Sequence, residues 1–67
     1  MALSELQRLI IAGLRVCGVD GRDIALAMLQ LKTEEQQWAT AEYLNTVVGK
    51  PPSKTEILRQ VSRLSSL

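Results

Sequence analysis

Sixty-seven residues, 46% of them apolar but only 3% aromatic, suffice for one small domain whose core must be built from Leu, Ile, Val, Met and Ala. Eight Lys and Arg against seven Asp and Glu leave a formal net charge of +1, which excludes a global field able to gather a polyanion. The chain has no histidine and a single cysteine, Cys17, which excludes Ser-His and Cys-His catalysis, an internal disulfide and the usual zinc ligand sets.

The elements are punctuated by helix caps. Ser4, with Gln7 three residues on, reads as a capping box, and Gly18 as the left-handed stop of the helix it opens. Asp20 caps a second helix, with Asp23 in its first turn and Val19 placed to staple against Ile24. Thr33-Glu34-Glu35-Gln36 is a third start of the same type, and Gly49 with Pro51-Pro52 stops that helix. Ser53-Lys54-Thr55-Glu56 is a full S-x-x-E box, the clearest start signal in the chain. The chain is therefore predicted to be all-α: one domain over 1–67, a compact bundle of four short helices near 4–17, 20–31, 33–48 and 53–65.

Residues set about 100° apart give each helix its faces. On the first, Leu6, Leu9, Ile10, Gly13, Leu14, Val16 and Cys17 share one half, and Gly13 would let another backbone come close. The second is apolar around most of its circumference and is expected to be the central element. On the third, Trp38, Ala41, Leu44, Val47 and Val48 face one way, with Tyr43 at the border. The fourth is cleanly amphipathic, with Ile57, Leu58, Val61 and Leu64 inward and Arg59, Ser62 and Arg63 outward. Two residues break the pattern: Ile11 falls among Gln7, Arg8 and Arg15, and Leu26 between Arg22 and Gln30. Both are expected to face water, a hint of a partner surface.

Catalytic chemistry is not expected. Cys17 lies on an apolar half near a helix C-terminus, where burial and the dipole both raise a thiol pKa. Asp20, Asp23, Glu34 and Glu35 sit in or beside helix first turns, where capping explains them, and they lack the spacing of a calcium loop. The four glycines are scattered, with no phosphate cradle after a strand. No cofactor, metal or small-molecule substrate is expected. The apolar run from Leu9 to Leu14 is far too short to span a bilayer, and Glu5 precedes Arg8 where a signal peptide would be basic, so no membrane role and a cytoplasmic location are expected.

A local basic surface is the remaining signal. Lys50, Lys54, Arg59 and Arg63 stand against one acid, Glu56, and Ser53-Lys54-Thr55 opens a helix whose amides suit a phosphate. A soluble outer face on a terminal helix explains the same residues without nucleic acid. The segment Thr33 to Val61 resembles the start of the winged helix-turn-helix domain of SOS-response repressors. There a helix leads through a G-x-P-P-[ST]-x-x-E-I turn into the next, matched by Gly49, Pro51, Pro52, Ser53, Glu56 and Ile57. The likeness covers fewer than half the residues. In that family the base-reading helix and wing follow the hairpin, so the resemblance puts Arg59 and Arg63 on a supporting helix and assigns them no base-reading role.

The reading with most support is a non-enzymatic helical protein-protein interaction module that docks with itself, as a homo-oligomer, or with a larger protein. Size and chemistry suit a bacterial or phage accessory or regulatory protein. The contact candidates are Ile11, Leu26, Tyr43 and, at the rim, Trp38, with Arg15 and Arg22 as polar rim; of its two readings Trp38 is expected mainly to plug the core. The alternative is a DNA- or RNA-binding regulator using Lys50, Lys54, Arg59 and Arg63.

Overall fold

A helix starts where a short polar side chain can satisfy its free amides, and four such sites divide this chain. The computed structural model describes residues 3–67, with α1 (Glu5–Val16), α2 (Gly21–Gln30), α3 (Glu34–Val47) and α4 (Lys54–Leu64) and no strand among the described residues. Each predicted range proves to be a helix plus its two caps: Ser4 and Cys17, Asp20 and Leu31, Thr33 and Val48, Ser53 and Ser65.

Two capping boxes are complete. Ser4 Oγ accepts from the Gln7 amide at 3.1 Å while Gln7 Oε1 accepts from the Ser4 amide at 2.9 Å. Thr33 and Gln36 repeat the exchange at 3.1 Å in both directions. The third box, expected to be the clearest, is only half made. Ser53 Oγ accepts from the Glu56 amide at 3.2 Å, but the Glu56 carboxylate turns away to Arg59 at 2.8 Å and Gln60 at 2.8 Å. Two partners one turn ahead, one of them a cation, outcompete a single backbone amide behind it.

The α1–α2 turn is a Schellman motif. Gly18 takes φ +87°, its amide donates to Arg15 O at 3.0 Å, and the Val19 amide donates to Leu14 O at 3.0 Å. Nothing lies within 4 Å of where a Gly18 Cβ would be, so the only cost of a side chain there is backbone strain. Gly18→Ala should therefore destabilise the fold by about 1–2 kcal/mol, read as a lower urea midpoint with an unchanged slope.

Asp20 makes the α2 cap, its carboxylate accepting from the Asp23 amide at 3.0 Å. That hydrogen bond, aided by the charges of Lys54 and Arg22, holds its pKa below the ordinary aspartate value. A carboxylate more acidic folded than unfolded stabilises the native state above its unfolded pKa. The contribution fades as pH falls through that value and then the lower folded one, so the loss belongs below about pH 4. Asp20→Asn keeps an acceptor without titrating, so thermal melts should show the parent losing stability more steeply than the variant over that acid range.

The helices close a square in which α1 lies beside α3, α3 beside α4, α4 beside α2 and α2 beside α1. Its centre is filled across the diagonal by Ile10 and Leu14 of α1 and Ile57 and Val61 of α4, all essentially sealed from water. Ile24 and Ala27 of α2, Leu44 of α3, and Val19 and Leu31 from the turns complete the core, which puts Val19 and Ile24 in the same cluster as the staple requires. The Cα radius of gyration, 10.5 Å, matches the value of about 11 Å for a compact chain of this length. Gly13 meets α3 as expected, because a Cβ there would lie 3.2 Å from Leu44 Cβ.

Three expectations about faces are corrected. The second helix is not central: Ala25, Leu26, Leu29 and Gln30 are exposed, because α2 touches only α1 and α4 and one side of it has no neighbour. Ile11 does not face water but packs against the core in part. The α3 core stripe is Gln36, Thr40 and Leu44, not the one through Trp38. Polar residues can occupy that stripe because both are satisfied. Thr40 Oγ1 donates to Gln36 O at 2.9 Å, and the Gln36 amide donates to Ser65 O at 2.8 Å and to Leu67 O at 3.2 Å.

Candidate helix-docking groove

Once α3 turns Gln36 and Thr40 inward, the apolar residues on its other side need another place. Trp38, a little over two turns before Val47, ends 52% exposed, and across from it Leu9 of α1 is 56% exposed. The sequence pattern puts Leu9 on the apolar half of α1 and favours Trp38 as a core plug over a contact at the rim. Trp38 and Leu9 line the wall common to two connected hollows between α1 and α3. One of about 530 Å³ runs toward the starts of both helices, past Glu5 and Glu34. The other, of about 330 Å³, runs past Gly13, Ala41 and Glu42 to Val48. Together they form one long furrow with Trp38 at its middle. Gly13 is part of the lining, where its missing side chain lets Leu44 pack close, and α1 and α3 run in the same direction along the walls.

The rim has one sign of charge. Glu5, Glu34 and Glu42 line the two hollows, and none of the eight Lys and Arg does. An open apolar channel edged by carboxylates suits the apolar stripe of an amphipathic helix with cations beside it. Among the described residues no three Cys, Asp or Glu side chains gather as metal ligands would, and no buried side-chain polar atom lacks a partner. Cys17 is buried, and that burial raises its thiol pKa.

The contact residues expected from the sequence are dispersed. Arg22 and Leu26 come together, one turn apart on the outside of α2, beside Ala25 and Leu29, which are exposed too. Arg15 is exposed on α1 away from the furrow. Ile11 and Tyr43 are half-buried against the core, and burial, more than the charge of nearby Glu56, raises the Tyr43 pKa. Sequence reasoning missed Leu9, Leu29 and the furrow itself. The available signal was the polar pair Gln36 and Thr40 at helical spacing from Leu44, which competes with Trp38 for the inward position.

The basic residues form a thinner patch than their number suggests. Lys50, Lys54, Arg59 and Arg63 are all exposed, but Arg59 is held by Glu56 at 2.8 Å and Lys54 lies within the electrostatic reach of Asp20. Ser53 Oγ already accepts from the Glu56 amide. Among the described residues no helix is long and apolar enough to cross a membrane. The chain matches no family model, no curated protein and no solved structure.

Proposed function

We propose that this chain is a non-enzymatic helical interaction module that acts by taking an amphipathic helix into the furrow between α1 and α3. One observation carries the reading: the only tryptophan of an aromatic-poor chain is spent on the surface, beside an exposed leucine, at the middle of an open apolar channel. In a domain this small, apolar side chains are scarce material for the core, and leaving Trp38 and Leu9 half exposed gives up burial worth about 1 kcal/mol each. Aromatic residues are also the side chains that most often anchor protein interfaces. A partner of this kind suits an accessory or regulatory protein of bacterial or phage type.

Trp38 reports its own environment. Its emission should shift to shorter wavelength as the furrow fills, either with rising protein concentration or on addition of a synthetic Leu/Lys amphipathic helical peptide. Trp38→Phe with the same peptide, followed by calorimetry, separates loss of the reporter from loss of binding. Emission that stays at the water-exposed position under both treatments, with no heat of binding, would remove the proposal.

A further inference from the structure

The furrow has a counterpart on the same molecule. On the outside of α2, Leu26 is 51% and Leu29 72% exposed, neighbours on one helical face with Ala25. This is a ridge rather than a hollow, and its ends are basic: Arg22 precedes it and Lys32 follows it, both exposed. Glu34 and Glu42 on the furrow are eight residues apart, about 12 Å of rise along α3, while Arg22 sits in the first turn of α2 and Lys32 follows its C-cap, Leu31, in the turn to α3. A cation thus stands at each end of the ridge, and carboxylates edge the furrow.

The two surfaces also point in opposite directions. The square places the α1–α3 side opposite the α2–α4 side, and Leu26 lines a small cleft between α2 and α4. We infer that this chain assembles head to tail, the Leu26–Leu29 ridge of one copy seated in the acidic-edged α1–α3 furrow of the next. Different patches on the two copies make the contact heterologous, so each added copy leaves one ridge and one furrow free and the assembly grows into a ring or a filament. The inference rests on the furrow being a helix-docking site and specifies the occupant as a second copy of this chain.

Two single variants isolate the surfaces. Trp38→Glu spoils the furrow and keeps the ridge; Leu29→Glu spoils the ridge and keeps the furrow. Both residues are half or more exposed, so both variants should fold, as circular dichroism would check. The parent chain should show a light-scattering mass that climbs with concentration past two copies. Each variant alone should remain at 7.4 kDa, and an equimolar mixture should form a dimer and stop there, because only one competent pair of surfaces survives. Exchanging the charges tests the complementarity: Arg22→Glu with Lys32→Glu, and Glu34→Lys with Glu42→Lys, should each abolish growth alone and restore it when mixed.

A parent chain that stays monomeric to millimolar concentration overturns the head-to-tail contact. So does a mixture of the Trp38→Glu and Leu29→Glu variants that forms no dimer. If the Leu/Lys peptide still binds the monomeric parent in either case, the furrow remains a docking site for a basic helix and only the identity of its occupant is lost. If the peptide fails as well, both readings fall.

Discussion

Gln36→Leu should cost about 2–4 kcal/mol, a large part of the roughly 3–5 kcal/mol that a single core of this size supplies. One side-chain amide holds three parts of the chain. Its oxygen accepts from the Lys32 amide at 2.8 Å and the Thr33 amide at 3.1 Å, closing the turn between α2 and α3. Its nitrogen donates to Ser65 O and Leu67 O, fastening the C-terminus to the start of α3. Leucine fills similar space but strands two amides and two carbonyls in a half-buried setting, where each lost bond weighs more than its typical net value of about 1 kcal/mol. Thr40→Val is the matching control. Its hydroxyl gives one hydrogen bond, to a carbonyl that the helix already serves, so valine should cost about 1 kcal/mol or less. Urea unfolding of the two variants tests the difference: comparable midpoints would mean that Gln36 is not the anchor its bonding pattern implies.

The same residue explains what was legible in the sequence. Caps are local: Ser4, Asp20, Thr33 and Ser53 act on amides two or three residues away, so reading them in order located every helix to the residue. Facing is not local. The Gln36 side-chain nitrogen is satisfied by carbonyls 29 and 31 residues further on, and no periodicity within α3 contains that information. Without it Gln36 reads as solvent-facing and Trp38 as core, and the helix is turned the wrong way around its axis. The misplacement of α2 has a similar origin. A circumference that is mostly apolar implies neighbours on most sides only if enough neighbours exist, and four short helices in a square give α2 two. Even the Glu56 box failed through competition from Arg59 and Gln60, which the start signal alone does not weigh. The exposed ridge and furrow are what remains when a pattern suited to burial exceeds the surface available to bury it.

Leu14→Ala and Leu9→Ala should have opposite consequences, although the two leucines lie on the apolar half of the same helix. Leu14 is wholly buried at the centre of the square among Ile10, Ile57 and Val61. Removing its side chain beyond Cβ leaves a cavity and should cost about 2–5 kcal/mol, enough to leave much of the population unfolded at room temperature. Leu9 keeps more than half its surface in water, so its truncation should change stability by less than about 1 kcal/mol. Docking should respond in reverse. Leu9→Ala, folded, loses a wall of the furrow beside Trp38 and should weaken peptide binding and self-association severalfold or more. Leu14→Ala, held folded by a stabilising osmolyte, keeps the furrow and should bind the same peptide as the parent does. Thermal melts give the first comparison and calorimetric titration the second. A Leu9→Ala variant that lost stability like Leu14→Ala would return Leu9 to the core, and with it the main reason to regard the α1–α3 side as a surface made for a partner.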